Sequence, residues 1–543
     1  MSQKIFLKQF NLLIGLAFLS NVCIMALEIV AGRLIAPHVG VSLYTWTTII
    51  GIVLAGISLG SFLGGKLADK SASIQLLAKI FMFSGISALL ILPLAYWLPA
   101  LTKNWNTPLI AEIIFFSLIL FLPPCLLMGS ISPIIAKLAI KDTDTTGQTI
   151  GTIYAAGTIG SIVGTFSTGF FLISHFGTFS IVCSIGLLLI SLGVLLTAGG
   201  TKNIIAKASL CLILLLCFDA FRASGALKGV CTKETDYYCV RIAEFPLNEI
   251  CKSPNCKDDT LCKGFSNGKK HNLKANSLVR LLREDNVIQS YNLINSPDEM
   301  IHDYEHLYHQ GLKYATRKDK TPKTAFIGGG GYTLPIYLDN QYSKIKIDVI
   351  EIDPQVTQIV HEKMGLPLNS KVKSHNEDAR VFFNRAPKDK YNLIVGDAFK
   401  DITVPYQLTT KEFNARISKW LDEDGLYMVN LIDGKKADFK LTRSYLKTLK
   451  ETFPFLEVIK RGKSESVGDL SSSTIIASKK KIDKSRWMSL EEIETEYEFI
   501  SQSELQEFIN HKKIAKILTD NYAPVEQMTA PSTFRSTVKQ KKV

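Results

Sequence analysis

The sequence predicts an α + α/β protein: a polytopic bundle of transmembrane helices, a small β-rich segment, and a Rossmann-like, doubly wound sheet of about seven strands. Up to about residue 222 the chain consists mainly of long apolar runs, and afterwards short apolar strands alternate with helical segments. The chain has 543 residues, 47% hydrophobic and 20% charged, and its mean hydropathy of +0.17 averages over these two unlike parts.

Composition and pattern divide the chain into four regions. They are a transmembrane domain (1–222), a cysteine-containing β-rich segment (223–312), a cofactor-binding Rossmann-like domain (313–483), and a helical extension with a basic, polar tail (484–543). The formal net charge of +13 would suit nucleic acid, but basic residues also collect beside membrane spans, and the sequence has no nucleic-acid-binding motif. We therefore expect the lipid bilayer as a partner, and not nucleic acid.

Seven apolar stretches are long enough to cross a membrane, which takes about 20 residues. They lie at roughly 10–32, 44–65, 76–98, 109–135, 150–173, 179–198 and 203–221. Glycines recur at every fourth position in the second and fifth stretches, for example Gly56, Gly60 and Gly64. Small residues at this spacing let helices approach closely in lipid, so we interpret them as packing positions.

Lysines next to the spans predict the orientation. They are concentrated in loops on the side of the N-terminus: Lys4, Lys8, Lys66, Lys70, Lys137, Lys141 and Lys202. This bias predicts a multi-pass protein of the cell (inner) membrane with a cytoplasmic N-terminus. Seven spans would place everything after 222 outside the cytoplasm, whereas six would keep it inside. The seventh stretch is the weakest, because Lys207 and Asp219 interrupt it. We lean to the extracytoplasmic side.

Two charges, Glu28 and Arg33, lie near the end of the first predicted span. A charge within the membrane marks a functional site by default. At the level of the lipid headgroups it would only anchor the helix. The sequence leaves both interpretations open.

Five of the ten cysteines lie in apolar spans, and the other five are crowded into about thirty residues: Cys231, Cys239, Cys251, Cys256 and Cys262. A zinc site would be expected to contain CxxC pairs, and none occurs. We therefore favour disulfides and expect no metal. Disulfides require an oxidising compartment, which agrees with seven spans, and an odd count leaves one thiol over.

The strands of the second half end in residues suited to a nucleoside-type ligand. A strand at 324–327 leads into the glycines Gly328, Gly329, Gly330 and Gly331; one at 346–350 leads to Glu351 and Asp353; one at 371–374 leads to Asp378; and one at 391–395 leads to Asp397. Further strands are predicted at 425–433, 456–459 and 474–477. Ligands of such sheets bind beyond the carboxyl ends of the strands.

The spacing and the glycine run define the class of ligand. Glu351 follows Gly328 by 23 residues, a distance at which an acid commonly accepts hydrogen bonds from ribose hydroxyls. The run is GGGG and has no phosphate-binding GxxxxGK[ST] pattern, which argues against ATP. It favours S-adenosylmethionine or its decarboxylated form.

Several motifs resemble the spermidine synthase (polyamine aminopropyltransferase) family, and in particular its membrane-fused branch. In the second half these are IGGGGYTLP (327–335), VIEIDP (349–354), GDAF (396–399) and LTDNYAPV (518–525); in the first half they are EIVAGR (28–33), GGKLAD (64–69) and LMGSISP (127–133). The resemblance implies a class I methyltransferase-type fold and a transferase of polyamine biosynthesis. Such an enzyme moves an aminopropyl group from decarboxylated S-adenosylmethionine to a small-molecule amine such as putrescine. Soluble relatives are commonly oligomers, so a homo-oligomer is left open.

The resemblance also implies roles for individual residues. Asp397 would be the catalytic base that takes a proton from the attacking amine. Glu351 would hold the ribose, with Asp353 beside it, and Asp378 would hold the adenine amino group. Tyr304 would help to position substrate and base.

The chain departs from the family pattern in the acceptor region. Residues 304–306 read Tyr-Glu-His in place of Tyr-His-Glu, and the acidic pair Asp298-Glu299 sits farther back than usual. Tyr237-Tyr238 stands where soluble members carry a tyrosine and a cofactor-contacting glutamine, and Gly331-Tyr332 stands where they carry Gly-Asp. Asp401 is the nearest candidate for the second active-site acid, which contacts the amine. Cofactor binding is therefore predicted more firmly than diamine recognition.

Three hypotheses remain from the sequence. The first is a membrane-bound aminopropyltransferase. The second is an S-adenosylmethionine-dependent transferase with a different acceptor. The third is a non-catalytic transporter or sensor that binds a polyamine or nucleoside, and fold alone does not choose among them.

Overall fold

The computed structural model describes residues 3–102, 109–140, 144–197, 229–252, 277–316, 321–399, 403–461, 470–490 and 497–531, with eight isolated positions between 207 and 262. The predicted seventh span (203–221, apart from a few isolated positions), Cys256, Asp401 and the tail from Ser532 onward lie outside these residues. The chain divides into two compact units, Met1–Cys239 and Val240–Val543.

The first unit is a helical bundle. Its helices are α1 (Gln3–Val39), α2 (Leu43–Ser71), α3 (Ile74–Thr102), α4 (Leu109–Gly129), α5 (Ile131–Ala139), α6 (Thr146–Ser167), a π-helical turn (Thr168–Leu172), α7 (Ile173–Phe176) and α8 (Thr178–Leu196). Six helical stretches in the described residues are long and apolar enough to cross a membrane: Gln9–Val39, Leu43–Ser71, Ile74–Thr102, Leu109–Ala139, Thr146–Leu172 and Thr178–Leu196. They coincide with the first six predicted spans and are compatible with a membrane protein. Helix α1, however, continues to Val39, seven residues beyond the predicted end of its span.

Glycines set the distances between the helices. A Cβ added at Gly60 of α2 would lie 2.1 Å from the Leu126 carbonyl oxygen, and one at Gly64 would lie 2.6 Å from the Ser130 backbone. On α6, a Cβ at Gly160 would lie 2.3 Å from the Phe18 carbonyl oxygen. These distances are far below van der Waals contact, so the backbones pack directly against one another, a mode of packing common between membrane helices.

The second unit begins with three strands of a small antiparallel sheet. They are β2 (Cys239–Pro246, whose first residue closes the first unit), β3 (Leu278–Glu284) and β4 (Val287–Leu293), with the short helix α9 (Leu247–Ile250) after β2; the strand β1 (Lys233–Glu234) precedes them in the first unit. Helix α10 (Asp303–Ala315) then leads into the main sheet.

The main sheet has eight strands among the described residues, in the order β12-β10-β11-β9-β8-β5-β6-β7. They are β5 (Lys323–Ile327), β6 (Lys346–Ile350), β7 (Val372–His375), β8 (Tyr391–Gly396), β9 (Leu421–Gly434), β10 (Phe455–Arg461), β11 (Leu470–Ser478) and β12 (Tyr497–Phe499). Strands β5 to β9 are parallel, whereas β10, β11 and β12 pair antiparallel. The helices that alternate with them are α11 (Thr333–Gln341), α12 (Pro354–Ile359), α13 (Ala379–Phe383), α14 (Lys411–Trp420), α15 (Lys440–Lys450), α16 (Lys484–Met488) and α17 (Gln502–Asn510).

The prediction of seven strands was one short. The extra strand, β12, lies in the region 484–543 that was predicted to be a helical extension, and it pairs with β10 through three residues. Three residues are too few to show the alternation that marks a strand. The strand forms because the edge of β10 offers unpaired backbone N–H and C=O groups. Helix α17, with its capping box of Ser501 and Glu504, is one of the helices of the predicted extension.

The strand order places the carboxyl ends of β5, β6 and β8 side by side, because β5 pairs with both β6 and β8. The chain passes from β5 to β6 on one side and later returns to β8 on the other. Such a reversal opens a crevice at the carboxyl ends of the strands, where doubly wound sheets bind ligands.

Gly60 tests the close packing of α2. Replacing Gly60 with Ala should lower stability by about 1–3 kcal/mol, because the new methyl group overlaps the backbone of α4. Gly65 is the matched control: it lies on the same helix, and a Cβ there would meet nothing within 4 Å. Thermal unfolding of the two variants in detergent measures the difference, and equal midpoints would contradict the packing described.

Candidate active site

Backbone hydrogen bonds hold the ends of neighbouring strands together. The Gly328 N–H donates to the Ile350 carbonyl at 2.9 Å, and the Asp397 N–H donates to the Ile327 carbonyl at 3.1 Å. The glycine loop, Glu351 and Asp397 therefore meet at one edge of the sheet, as predicted for parallel strands.

The backbone conformation or the close neighbours of the glycine loop disfavour side chains there. Gly328 has φ +89° and Gly330 has φ +50°, a region that favours glycine. A Cβ at Gly328 would lie 2.9 Å from the Asp397 carbonyl oxygen, and one at Gly331 would lie 1.9 Å from Ser290 Oγ. The loop therefore presents bare backbone at the crevice.

The Glu351 carboxylate fixes this loop. It is buried, and it accepts the Gly329 N–H at 2.8 Å through Oε2 and the Asp353 N–H at 2.9 Å through Oε1. Burial raises the pKa of Glu351, although these backbone donors oppose the rise. Glu284, at the end of β3, is also buried. Burial, followed by the charges of Glu351 and Asp285, raises its pKa well above the usual range.

Two other predicted acids cap helices. Asp353 Oδ1 accepts the Gln355 N–H at 2.9 Å at the start of α12, and Asp378 Oδ1 accepts the Arg380 N–H at 2.7 Å at the start of α13. Arg380 in turn binds the Asp520 carboxylate and donates to Thr410 Oγ1 at 3.0 Å. The C-terminal motif at 518–525 thus holds the beginning of α13, and with it Asp378, in place.

Asp397 keeps partial contact with solvent at the end of β8. Its Oδ1 accepts a hydrogen bond from Asn430 Nδ2 at 3.4 Å. Burial among protein atoms raises the pKa of Asp397 to about 7, against the opposing effects of the Asn430 hydrogen bond and the charge of His302. A carboxylate of this kind exchanges its proton near neutral pH.

An aromatic cluster lies next to Asp397. His302 stacks on Tyr304 with ring centroids 5.5 Å apart, and Tyr304 meets Tyr308 edge-on at 5.8 Å. Tyr308 is buried, and its hydroxyl has no hydrogen-bond partner among the described residues. Burial, and next the charge of Asp397, raises the pKa of Tyr308 well above its usual value. This effect places the tyrosine within electrostatic reach of that carboxylate.

The structure thus brings together Gly328–Gly330, Glu351 and Asp397, and it connects Tyr304 to them through Tyr308. The acidic pair Asp298-Glu299 acts instead on Tyr337, whose pKa is raised first by burial and then by these charges. Asp401 lies outside the described residues. The binding roles of all these residues remain predictions.

Sequence reasoning missed four residues of this region: Glu284, His302, Tyr308 and Asn430. A signal existed for Tyr308, because it follows Tyr304 by four residues and so shares its face of α10. The other three lie on strands or loops far from Asp397 and Glu351 in sequence. Only the folded chain brings them close.

Fold and site together define a Rossmann-like domain of the transferase type. More particularly, residues 304–459 match the family model described as "Spermine/spermidine synthase domain", so the second unit carries a spermidine synthase-like domain.

Two curated relatives give partial matches. A polyamine aminopropyltransferase of Vibrio vulnificus (strain CMCP6) is 30% identical over 25% of this chain and 46% of its own length. An eEF1A lysine and N-terminal methyltransferase of Mus musculus is 29% identical over 26% of this chain and 21% of its own length. The chain therefore spans less than half the length of either relative.

Among solved structures, a probable spermidine synthase from Corynebacterium glutamicum ATCC 13032 aligns at 19% identity and a TM-score of 0.40, covering 46% of this chain and 90% of that one. A spermidine synthase in complex with the transition-state analogue AdoDATO aligns at 18% identity and a TM-score of 0.31, covering 42% of this chain and 78% of that one.

Asp397 should make stability depend on pH. The folded state holds the proton of Asp397 up to about pH 7, whereas an unfolded aspartate loses it near pH 4. The folded state therefore binds more protons between these values, and the contribution of Asp397 to stability falls as the pH rises through this window. The Asp397→Asn variant, which cannot titrate, should gain thermal stability relative to wild type between pH 4.5 and 8. A difference that does not change with pH would contradict the raised pKa.

Proposed function

We propose that the chain is a membrane-bound transferase that moves an aminopropyl group from decarboxylated S-adenosylmethionine to an amine of the putrescine type. The observation that carries this proposal is the position of Asp397. A carboxylate with a pKa of about 7 lies at the end of β8, beside a bare glycine loop and a buried acid. The match of 304–459 to the spermine/spermidine synthase domain supports the same reaction.

In the proposed reaction the amine nitrogen attacks the carbon next to the sulfonium sulfur. A C–N bond forms, the C–S bond breaks, and the bonding pair stays on sulfur, which becomes a neutral thioether. The amine must be unprotonated to attack, and Asp397 takes its proton. A base with a pKa near the working pH suits this task, because it is deprotonated often enough and still accepts a proton readily.

The remaining residues would bind and orient the nucleoside. The backbone of Gly328–Gly330 accommodates the ligand closely, and Glu351 faces the ribose while it holds the loop. The Asp353 N–H donates a hydrogen bond to Glu351 and so helps to orient its carboxylate. Asp378 is assigned to the adenine amino group. Tyr304, connected to Asp397 through Tyr308, would position the acceptor.

A second candidate is methyl transfer from S-adenosylmethionine to a different acceptor. The aromatic side chains near Asp397 support it: they are His302 and Tyr308, and Tyr304 contacts both of their rings. Aromatic faces suit a single ammonium group or a ring. The partial match to a mammalian methyltransferase also supports it.

We further propose that the transferase domain lies on the side of the membrane opposite the N-terminus. The support comes from contacts within the first unit, between the helix ends and the segment 229–239. Arg33 of α1 donates to the Asp236 carbonyl at 2.8 Å, and Glu234 accepts the Thr178 N–H at 2.7 Å at the start of α8. Gly229 lies against the Phe179 ring. The whole segment therefore sits at the end of the bundle where α8 begins.

Helix α8 is 19 residues long, which corresponds to about 28 Å. Its last residue, Leu196, is therefore at the opposite end of the bundle from Gly229. The chain has to travel the length of the bundle between these two residues, and the apolar stretch at 203–221 is suited to that crossing. With seven crossings and a cytoplasmic N-terminus, as proposed here, everything from Gly229 onward would lie outside the cytoplasm.

The disulfides agree with this topology. Cys231 is bonded to Cys239, and Cys251 is bonded to Cys262. Such bonds persist in oxidising compartments and are rare in the cytosol.

The reaction is tested with the purified full-length protein, decarboxylated S-adenosylmethionine and a panel of amines, with release of the thioether nucleoside followed by mass spectrometry. Asp397→Asn should lower kcat by about 10²- to 10⁴-fold, the usual contribution of a general base. For wild type, kcat/KM should rise with pH through about 7, as Asp397 loses its proton. Asp424→Asn, which changes an acid paired with Lys480 on the surface, is the control and should leave the rate unchanged.

Three results would redirect this proposal. Formation of no thioether with any amine would exclude aminopropyl transfer. Consumption of S-adenosylmethionine in its place would support the methyltransferase candidate. Binding of nucleoside or polyamine without turnover would support a sensor or transporter.

The topology is tested by fusing reporters to the C-terminus. Alkaline phosphatase should be active and green fluorescent protein dark, because phosphatase requires export. A fusion at Thr197, after the sixth helix, is the control and should give the opposite result. Bright fluorescence with inactive phosphatase at the C-terminus would overturn the proposed side.

A further inference from the structure

Tyr332 occupies an unusual position directly next to the glycine loop. It is the last residue before α11 and has φ +56°, a left-handed conformation that is rare for an aromatic residue. Its side chain is fully buried, and a Cβ added at Gly329 would lie 2.3 Å from its ring. Such a conformation costs free energy, so it persists only where the surrounding contacts hold it, and it is often found at functional sites.

The Tyr332 hydroxyl connects two neighbouring elements. It donates to Ser374 Oγ near the end of β7 at 3.1 Å, and it lies 3.1 Å from Thr357 Oγ1 on α12. Burial, and next the charge of Glu351, raises the pKa of Tyr332 to about 12, so the hydroxyl keeps its proton at neutral pH. Because that single proton is donated to Ser374, the Thr357 hydroxyl donates its own proton to the Tyr332 oxygen.

These hydrogen bonds orient the side chain of Asn376. Its Nδ2 donates to Thr357 Oγ1 at 2.7 Å and to the Glu351 carbonyl at 3.3 Å. A carbonyl oxygen only accepts hydrogen bonds, and the Thr357 proton is already donated to Tyr332, so the nitrogen of the amide has to face both atoms. The amide oxygen, Oδ1, therefore points away from them.

Asn376 Oδ1 is an acceptor at the ligand-binding edge of the sheet. Asn376 is exposed, and its Oδ1 accepts no hydrogen bond from any residue that the structure describes. It follows β7 directly, contacts the backbone of Glu351 at the end of β6, and precedes Asp378 by two residues. A ribose carries two adjacent hydroxyls, and each oxygen of the Glu351 carboxylate already accepts a backbone N–H. A further acceptor beside Glu351 therefore suits a ribose.

We propose that Asn376 is a further nucleoside-binding residue, whose Oδ1 accepts a hydrogen bond from a ribose hydroxyl, and that Tyr332 is a positioning residue that acts on it through Thr357. The inference rests on the proposed function in one respect: an adenosine-type ligand binds in this crevice. Both transferase reactions considered above use such a ligand. Neither aminopropyl transfer nor a particular acceptor is required.

Binding of 5′-methylthioadenosine, the thioether nucleoside that aminopropyl transfer would release, tests the role of Asn376. The purified full-length protein in detergent is titrated calorimetrically with this nucleoside and with its 2′-deoxy and 3′-deoxy derivatives. Asn376→Ala should raise the Kd of the parent nucleoside about tenfold, the usual order for the loss of one hydrogen bond. It should bind one of the two derivatives as tightly as wild type does, because that derivative lacks the hydroxyl that Asn376 contacts.

Two tyrosine variants test the positioning role. Tyr332→Phe should raise the Kd of 5′-methylthioadenosine by about three- to tenfold, because Asn376 loses its fixed orientation. In the Asn376→Ala background the same change should add nothing, since Tyr332 acts through Asn376. Tyr391→Phe is the matched control: Tyr391 is also buried, and its hydroxyl donates to Asp348 Oδ2 at 2.9 Å at the start of β8. Its loss should lower thermal stability and leave the Kd unchanged.

The outcomes separate this inference from the proposed function. An unchanged Kd in Asn376→Ala, or a loss of affinity that is the same for all three nucleosides, would overturn the binding role of Asn376. Independent, additive effects of Tyr332→Phe and Asn376→Ala would overturn the positioning role of Tyr332. Absence of nucleoside binding by wild type would overturn the proposed function and this inference together, whereas ribose-dependent binding without turnover would contradict the transferase reaction alone.

Discussion

The Glu351 carboxylate is the interaction on which the site depends. It binds two backbone N–H groups, one in the glycine loop after β5 and one at the start of the turn into α12. This link adds to the hydrogen bond from the Gly328 N–H to the Ile350 carbonyl, which also holds the left-handed glycine loop against the end of β6. The carboxylate thus has a structural function in addition to any contact with ribose.

Burial of several carboxyl groups raises the free energy of their ionised forms. A cationic ligand would lower that free energy. Glu284, Glu351 and Asp397 all have raised pKa values because burial disfavours their charged forms. A sulfonium or ammonium ion placed near them would stabilise the ionised forms and lower those pKa values. The site therefore favours positively charged ligands, which agrees with both transferase reactions considered.

The helical unit is organised by close backbone packing. Glycine brings the helices so close that backbone meets backbone, which leaves little space for polar groups. The hydrogen bonds from Arg33 to the Asp236 carbonyl and from the Thr178 N–H to Glu234 fix the segment 229–239 at one end of the bundle.

The sequence by itself determined the local elements. Strands β5, β6 and β8 begin and end within one residue of their predicted positions, because continuous apolar runs bounded by glycines and acids leave few alternatives. The positions of Gly328, Glu351 and Asp397 at strand ends follow from the same pattern.

Only the tertiary structure decided which groups are neighbours across the chain. Several interactions join segments far apart in sequence. Strand β12 pairs with β10, the charge of Glu351 raises the pKa of Glu284, and the charge of Asp397 raises the pKa of Tyr308. The same is true of the hydrogen bond from Thr178 to Glu234, which bears on the side of the membrane. Such contacts have no local period or spacing, because they arise when packing of the whole chain brings distant side chains together.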